Sequence, residues 1–194
     1  MNFVSIGKGR LMMLNILIGL LFVFSKSNLE FLDIGISYYL TNIIGYLLIF
    51  FGIRELGLEY EKVRKAQPYA VFMIFHSILF LLLNITGNSP LMMPLESYLV
   101  IIALTGLAFV IAGMFMIYVI ISILLESLKV EFSTRKLRAL CSAMMMTFIL
   151  TGIFYFLIPD LAQVLMAILL FFNILFLFGF YLVFLRSKES VVEQ

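Results

Sequence analysis

Long apolar runs alternate with short polar connections along this chain. The runs occupy about 6–24, 34–53, 68–86, 97–125, 139–158 and 161–185. Each is near or above the ~20 residues that carry an α-helix across ~30 Å of hydrocarbon. Lipid offers no hydrogen bonds, so a spanning segment must satisfy its own backbone, and a helix does so. The strict alternation of a membrane β-strand is absent. The pattern predicts an all-α integral membrane protein, a six-transmembrane-helix bundle forming a single membrane domain over 1–194.

Composition strengthens this reading. Of 194 residues, 64% are hydrophobic and 12% charged, against about half and about a quarter in soluble domains. One core of this size cannot hide so much apolar surface, so much of it must face lipid. A net charge of +2 is too small and too dispersed for a nucleic-acid partner. A single cysteine, Cys141, excludes an internal disulfide framework. Tryptophan is absent, which leaves Tyr38, Tyr39, Tyr60, Tyr69 and Tyr98 to form the interfacial aromatic belt. The first run, with Lys8 and Arg10 before Leu11, also has the outline of a signal peptide; it is read here as a span.

The polar connections fall into two kinds. Two belts, Arg54–Gln67 and Glu126–Arg138, carry most of the bases. The intervening connections hold Glu30, Asp33, Glu96 and Asp160 with Lys26 as their one base. Cytoplasmic loops are the ones enriched in Lys and Arg. Both termini are therefore expected in the cytoplasm of a multi-pass cell-membrane protein, which agrees with an even number of spans. Leu56, Tyr60 and Val63 recur at helical spacing, and Glu61 stands four residues before Lys65. Each belt thus reads as a helical extension at the headgroup level, with a possible i to i+4 ion pair in the first. Glu59, Arg64, Lys65, Arg135 and Lys136 form the candidate surface for a protein partner.

A shift of 72 residues aligns Tyr46 with Tyr118, Ile49 with Ile121, Leu56 with Leu128, Glu59 with Glu131 and Met73 with Met145. This suggests three successive two-helix units, an organisation with parallels among transporters.

Polar residues inside the spans are costly and therefore informative. Apart from Lys8 and Arg10 at the start of the first, no Asp, Glu, Lys or Arg lies within the six runs, which argues against a charged proton relay, a voltage sensor or an aspartyl intramembrane protease. His76, Asn42 and Asn173 lie near the midplane at 1.5 Å per helical residue, with Asn15 close to it. His76 is the only histidine; in so apolar a setting its neutral form is favoured. These four are the candidate binding cluster, a polar midplane cavity for a solute. The alternative is plain interhelical hydrogen bonding, worth about 0.6–2 kcal/mol per bond.

Other features favour packing over chemistry. Asp33, Glu96 and Asp160 each precede a span, where acids cap helix N-termini. Met144, Met145 and Met146, with Cys141 nearby, hold soft ligand atoms, but adjacent methionines leave a helix in different directions; no metal and no cofactor is assigned. Ala108 and Ala112 have the four-residue spacing of close helix approach. There is no zinc-protease motif and no phosphate loop, and a triad on the lone histidine would have no intramembrane acid to orient it. No catalytic residue is assigned.

The leading expectation is a small transporter or channel-like protein, or the membrane subunit of a transport complex. The alternatives are a non-catalytic partner (an assembly, sensor or immunity-type protein) working through the belts, and a membrane enzyme acting on lipid-linked substrates. The expected partners are the bilayer and a protein at the belts or a second copy of the chain. In length and span count the chain is similar to the substrate-binding subunits of energy-coupling vitamin transporters. Their small-residue docking signature is represented on the first run by Gly19 alone, so no residue roles carry over.

Overall fold

The computed structural model describes residues 3–25, 35–58, 60–89, 99–127 and 131–192. Within them the chain is helical, with no strand. The helices are α1 (Phe3–Phe24), α2 (Ile36–Leu56), the one-turn α3 (Glu61–Arg64), α4 (Gln67–Ile85), α5 (Leu99–Ser127), α6 (Glu131–Leu157) and α7 (Pro159–Val192). Five of these regions are long and apolar enough to cross a membrane, and the shorter apolar stretch Met13–Phe24 of α1 adds a sixth candidate. Helix limits fall within a few residues of the apolar runs, except that α6 begins eight residues earlier and α7 ends seven later, each absorbing charged residues.

Contacts fix the helix directions. The position a Gly19 Cβ would take is 2.7 Å from the Ile49 side chain, and that of a Gly45 Cβ is 2.7 Å from Val23. The two matches run in opposite senses, so α1 and α2 are antiparallel. At this crossing the backbones nearly touch: a Cβ on Gly19 would lie 2.6 Å from the Gly45 carbonyl oxygen. Only hydrogen fits in that space.

The rings of Tyr39 and Phe80 stack with centroids 6.2 Å apart. They lie at the ends of α2 and α4 away from the α3 connection, so this pair is antiparallel too. The stack also sets the register. Stepping toward the connector brings Asn42 level with Ser77, Tyr46 with Met73 and Ile49 with Ala70, and every one of these is buried. The same logic applies to α6 and α7, where Leu137 Cδ2 packs over Gly179. From there Cys141 is level with Phe176, Met144 with Asn173, Phe148 with Leu169 and Thr151 with Met166, again all buried. Both seams follow the i, i+3, i+7 spacing of left-handed helix pairs.

The bundle closes through smaller contacts. Phe115 meets Phe148 edge-on at 5.0 Å between α5 and α6. Phe24 meets Phe176 at 6.3 Å between α1 and α7. α3 touches both α2 and α5, so the two basic connectors share one end of the bundle. The α1–α2, α2–α4 and α6–α7 pairs pack most extensively, while α4 and α5 meet more sparingly. The packing therefore does not divide into three separate two-helix units.

A different regularity is present. The buried positions 42, 45, 46, 49, 52 and 53 of α2 recur 72 residues later in α5. Those at 63, 66, 70, 73, 77 and 80 recur 71 residues later in α6. The counterpart of Met73 by burial is thus Met144, not Met145.

The first belt is not a continuous helix. α2 ends at Leu56, and α3 stops at Arg64 with Lys65 in its C-cap. With Lys65 outside the helix, Glu61 and Lys65 form no ion pair among the described residues, and the i to i+4 arrangement expected from spacing is not made. In the second belt, α6 does extend through Arg138. At the opposite end, α4 finishes with Gly87 at φ +74°. The Asn88 amide donates to the Leu83 carbonyl and the Gly87 amide to that of Asn84, the double bond of a glycine-terminated helix.

Candidate functional site: a polar layer between α2, α4 and α5

Asn42 occupies a core position of α2 and is 4% exposed. One turn earlier, the half-buried Tyr38 brings its hydroxyl within hydrogen-bonding reach of the Asn42 side chain. Level with Asn42 across the seam is Ser77 of α4, fully buried, whose Oγ has no hydrogen-bond partner. A buried hydroxyl left unpaired costs about 1–3 kcal/mol, so this atom is poised to accept a partner.

His76, the residue before Ser77, turns the other way, toward α5. Its Nε2–H donates to the Phe109 carbonyl at 3.0 Å, which fixes the proton on Nε2. The imidazole lies over Gly113, where a Cβ would fall 2.6 Å from Nε2, and its centroid is 4.6 Å from that of Phe80. The notch that admits it is therefore Gly113. Ala108 and Ala112, which the sequence pattern favours for close approach, are both exposed, because the short residue needed is the one facing the histidine.

Around this layer is a set of hydroxyls that sequence reasoning missed. The Tyr46 phenol lies within electrostatic range of those of Tyr38 and Tyr118, and Tyr118 lies near Cys141. Ser122 of α5 in turn stands near the Cys141 thiol. Tyr39 is 1% exposed, so it does not serve in the interfacial belt that composition suggests, and Tyr46 is buried as deeply at 2%. Tyr69, at the start of α4, is exposed there. The missed signal was positional: Tyr39, Asn42 and Tyr46 share one heptad stripe, as do Met73, Ser77 and Phe80.

The four sequence-picked residues do not form a single cluster. Among the described residues no hydrogen bond joins any two of them. Asn42 and His76 flank the same layer on either side of Ser77. Asn173 belongs to the α6–α7 seam, 6% exposed, with its Oδ1 unpartnered and Met144 at its level. Asn15 is half-buried on α1. Helix neighbours are not readable from depth along a helix, which is why the four separate.

At the connector end, Arg64, Lys65, Arg135 and Lys136 are all exposed. Glu59 lies outside the described residues, as do Asp33, Glu96 and Tyr98. Asp160 is exposed in the first turn of α7, where the helix dipole favours an acid. Met144 is buried, Met145 half-buried and Met146 exposed, so the three thioethers do not converge.

No family model, curated protein or solved structure matches this chain. What can be said of its chemistry rests on the bundle itself. Among the described residues, every buried polar side chain is an amide or a hydroxyl, and no Asp, Glu, Lys or Arg is buried.

Proposed function

We propose that this multi-pass helical protein is a small membrane carrier, or the membrane subunit of one, that binds a small neutral solute at the Asn42–Ser77–His76 layer. The observation that carries this reading is the Ser77 hydroxyl, fully buried and unpartnered, at the level of Asn42 and one residue on from His76. A solute with hydrogen-bonding groups would satisfy it. The neutrality of the layer restricts the ligand, since an ion drawn into hydrocarbon without a counter-charge is heavily penalised. The matching burial of the α2–α4 and α5–α6 hairpins agrees with a carrier, because transport sites commonly lie between related hairpins.

The orientation belongs to the same reading: the basic connectors face the cytoplasm of a cell membrane, with both chain ends on that side. Single cysteines introduced as Lys62→Cys and Asn88→Cys in a Cys141→Ser background should label from opposite faces. Labelling of both from one face rejects this topology.

The decisive experiment is to isolate the protein from its native membrane in mild detergent and identify small molecules that travel with it. A neutral polar compound should be enriched with the wild type and lost with Ser77→Val and Asn42→Leu. Equal recovery with all three proteins, or no enrichment, would sink the carrier reading. A second reading, a non-catalytic partner acting through the connectors, is favoured by the exposed bases there; a soluble protein recovered in the same isolation would support it instead.

A further inference from the structure

The two connectors expose an ordered set of bases whose arrangement is not explained by a site half a membrane away. On the first, Val63 and Ala66 are buried at 2% and 0%, pinning the α3 turn against α2 and α5. That leaves Lys62, Arg64 and Lys65 pointing outward, all exposed. On the second, Thr134 and Leu137 are buried at 2% and 4%, and the same helical geometry turns Arg135, Lys136 and Arg138 outward. Two buried anchor pairs, each with its members three residues apart, therefore present two triplets of bases from one end of the bundle. The exposed acids described nearby are Glu61 and Glu126.

Two apolar features distinguish the kinds of partner. Leu58, in the connector before α3, is 81% exposed, and Tyr69, two residues into α4, is 39% exposed. A large aliphatic group and an amphipathic ring beside clustered bases suit the boundary between headgroups and acyl chains. A soluble acidic partner would offer the leucine no such layer. Bases directly adjoining a span gain from anionic lipid within a Debye length of the surface.

We infer that the α3 turn and the first turns of α6 bind the phosphodiester headgroups of anionic phospholipids. The two triplets gather these lipids at one end of the bundle and hold the connectors in place. This site is independent of the Asn42–Ser77–His76 layer, and either can fail without the other.

The test uses the full chain in detergent, titrated with phosphatidylglycerol or phosphatidylcholine of identical acyl chains and followed by native mass spectrometry. Phosphatidylglycerol should bind at least tenfold more tightly, and 0.5 M salt should remove most of that preference. R64Q/K65Q/R135Q/K136Q should lower phosphatidylglycerol affinity at least tenfold and leave phosphatidylcholine unchanged. Should that variant misfold, the four single neutralisations, each expected to weaken phosphatidylglycerol binding several-fold, replace it. Equal binding of the two lipids, or retention of the preference after neutralisation, overturns the inference. So does glycerol phosphate binding as tightly as the intact lipid, which would point to a soluble phosphate, or an acidic soluble protein competing the lipid away.

Discussion

The α2–α4 and α6–α7 seams are built on the same plan and differ in what they do with polarity. Each is an antiparallel pair with a buried stripe at heptad spacing, and each places one asparagine in that stripe. In α2–α4 the asparagine meets a tyrosine hydroxyl on its own helix and stands level with a serine. In α6–α7, Asn173 stands level with Met144, which offers no strong partner, and the neighbouring Thr147 and Thr151 donate to carbonyls of their own helix. A polar group in a membrane core is tolerated where it is shared. The first seam has the makings of a recognition layer; the second carries an amide with an unpartnered Oδ1 among residues that offer it no bond.

That contrast can be broken most forcefully at the rings that hold each seam. Tyr39→Ala removes the register-setting stack and should cost about 3 kcal/mol. Phe176→Ala should cost a similar amount, the lower end of aromatic truncations, because lipid replaces part of the lost contact. Unfolding in mixed detergent micelles measures both. A loss confined to one seam would mean that the two are not equivalent scaffolds.

The asparagines give a difference in sign. Asn42→Leu strands the Tyr38 hydroxyl and should destabilise by about 1–2 kcal/mol. Asn173→Leu removes an unpartnered carbonyl and should be neutral or stabilising by up to about 1 kcal/mol. The same unfolding assay, run on both, rejects the contrast if the signs agree.

Smaller effects sharpen the layer itself. Gly113→Ala pushes a methyl group into the imidazole and should cost about 1 kcal/mol, the value of one bond from His76 to the Phe109 carbonyl. His76→Phe combined with Gly113→Ala should show less than the summed loss if the two changes act on one contact. Smallest of all, Ser77→Ala should leave the empty protein within about 0.5 kcal/mol of wild type, since no bond is lost. Under the carrier reading that same change weakens solute binding, so a stability-neutral, binding-defective variant is the expected signature.

Much of the architecture was legible in the sequence because lipid imposes a simple rule: a run of about twenty apolar residues becomes a helix. Limits at α2, α4 and α5 moved by only one to three residues. The extension of α6 back to Glu131 was harder to place, because its first turns are charged and hydropathy ends where helix does not. The broken first belt was misread for the converse reason: helical spacing of Leu56, Tyr60 and Val63 survives a break, since the linker restores the phase. At the site, composition pointed to the rare residues and overlooked the common ones. Histidine and asparagine attract notice in a span, whereas Ser77 and the tyrosines gain meaning only once helix neighbours are known. The offset between repeated burial patterns changes from 72 to 71 residues between the paired helices, which a single-shift comparison cannot follow.

Ile158 is the only residue between α6 and α7, helices of 27 and 34 residues. Asp160 is the one charge beside this joint, so very little polar chain separates the two helices. A connection this short favours their leaving the insertion machinery together, as a folded-back hairpin rather than as successive single spans. Truncation within α7 should for that reason leave α6 without a settled position, and a tag or protease site inserted at Ile158 should disturb assembly more than one at Asn88.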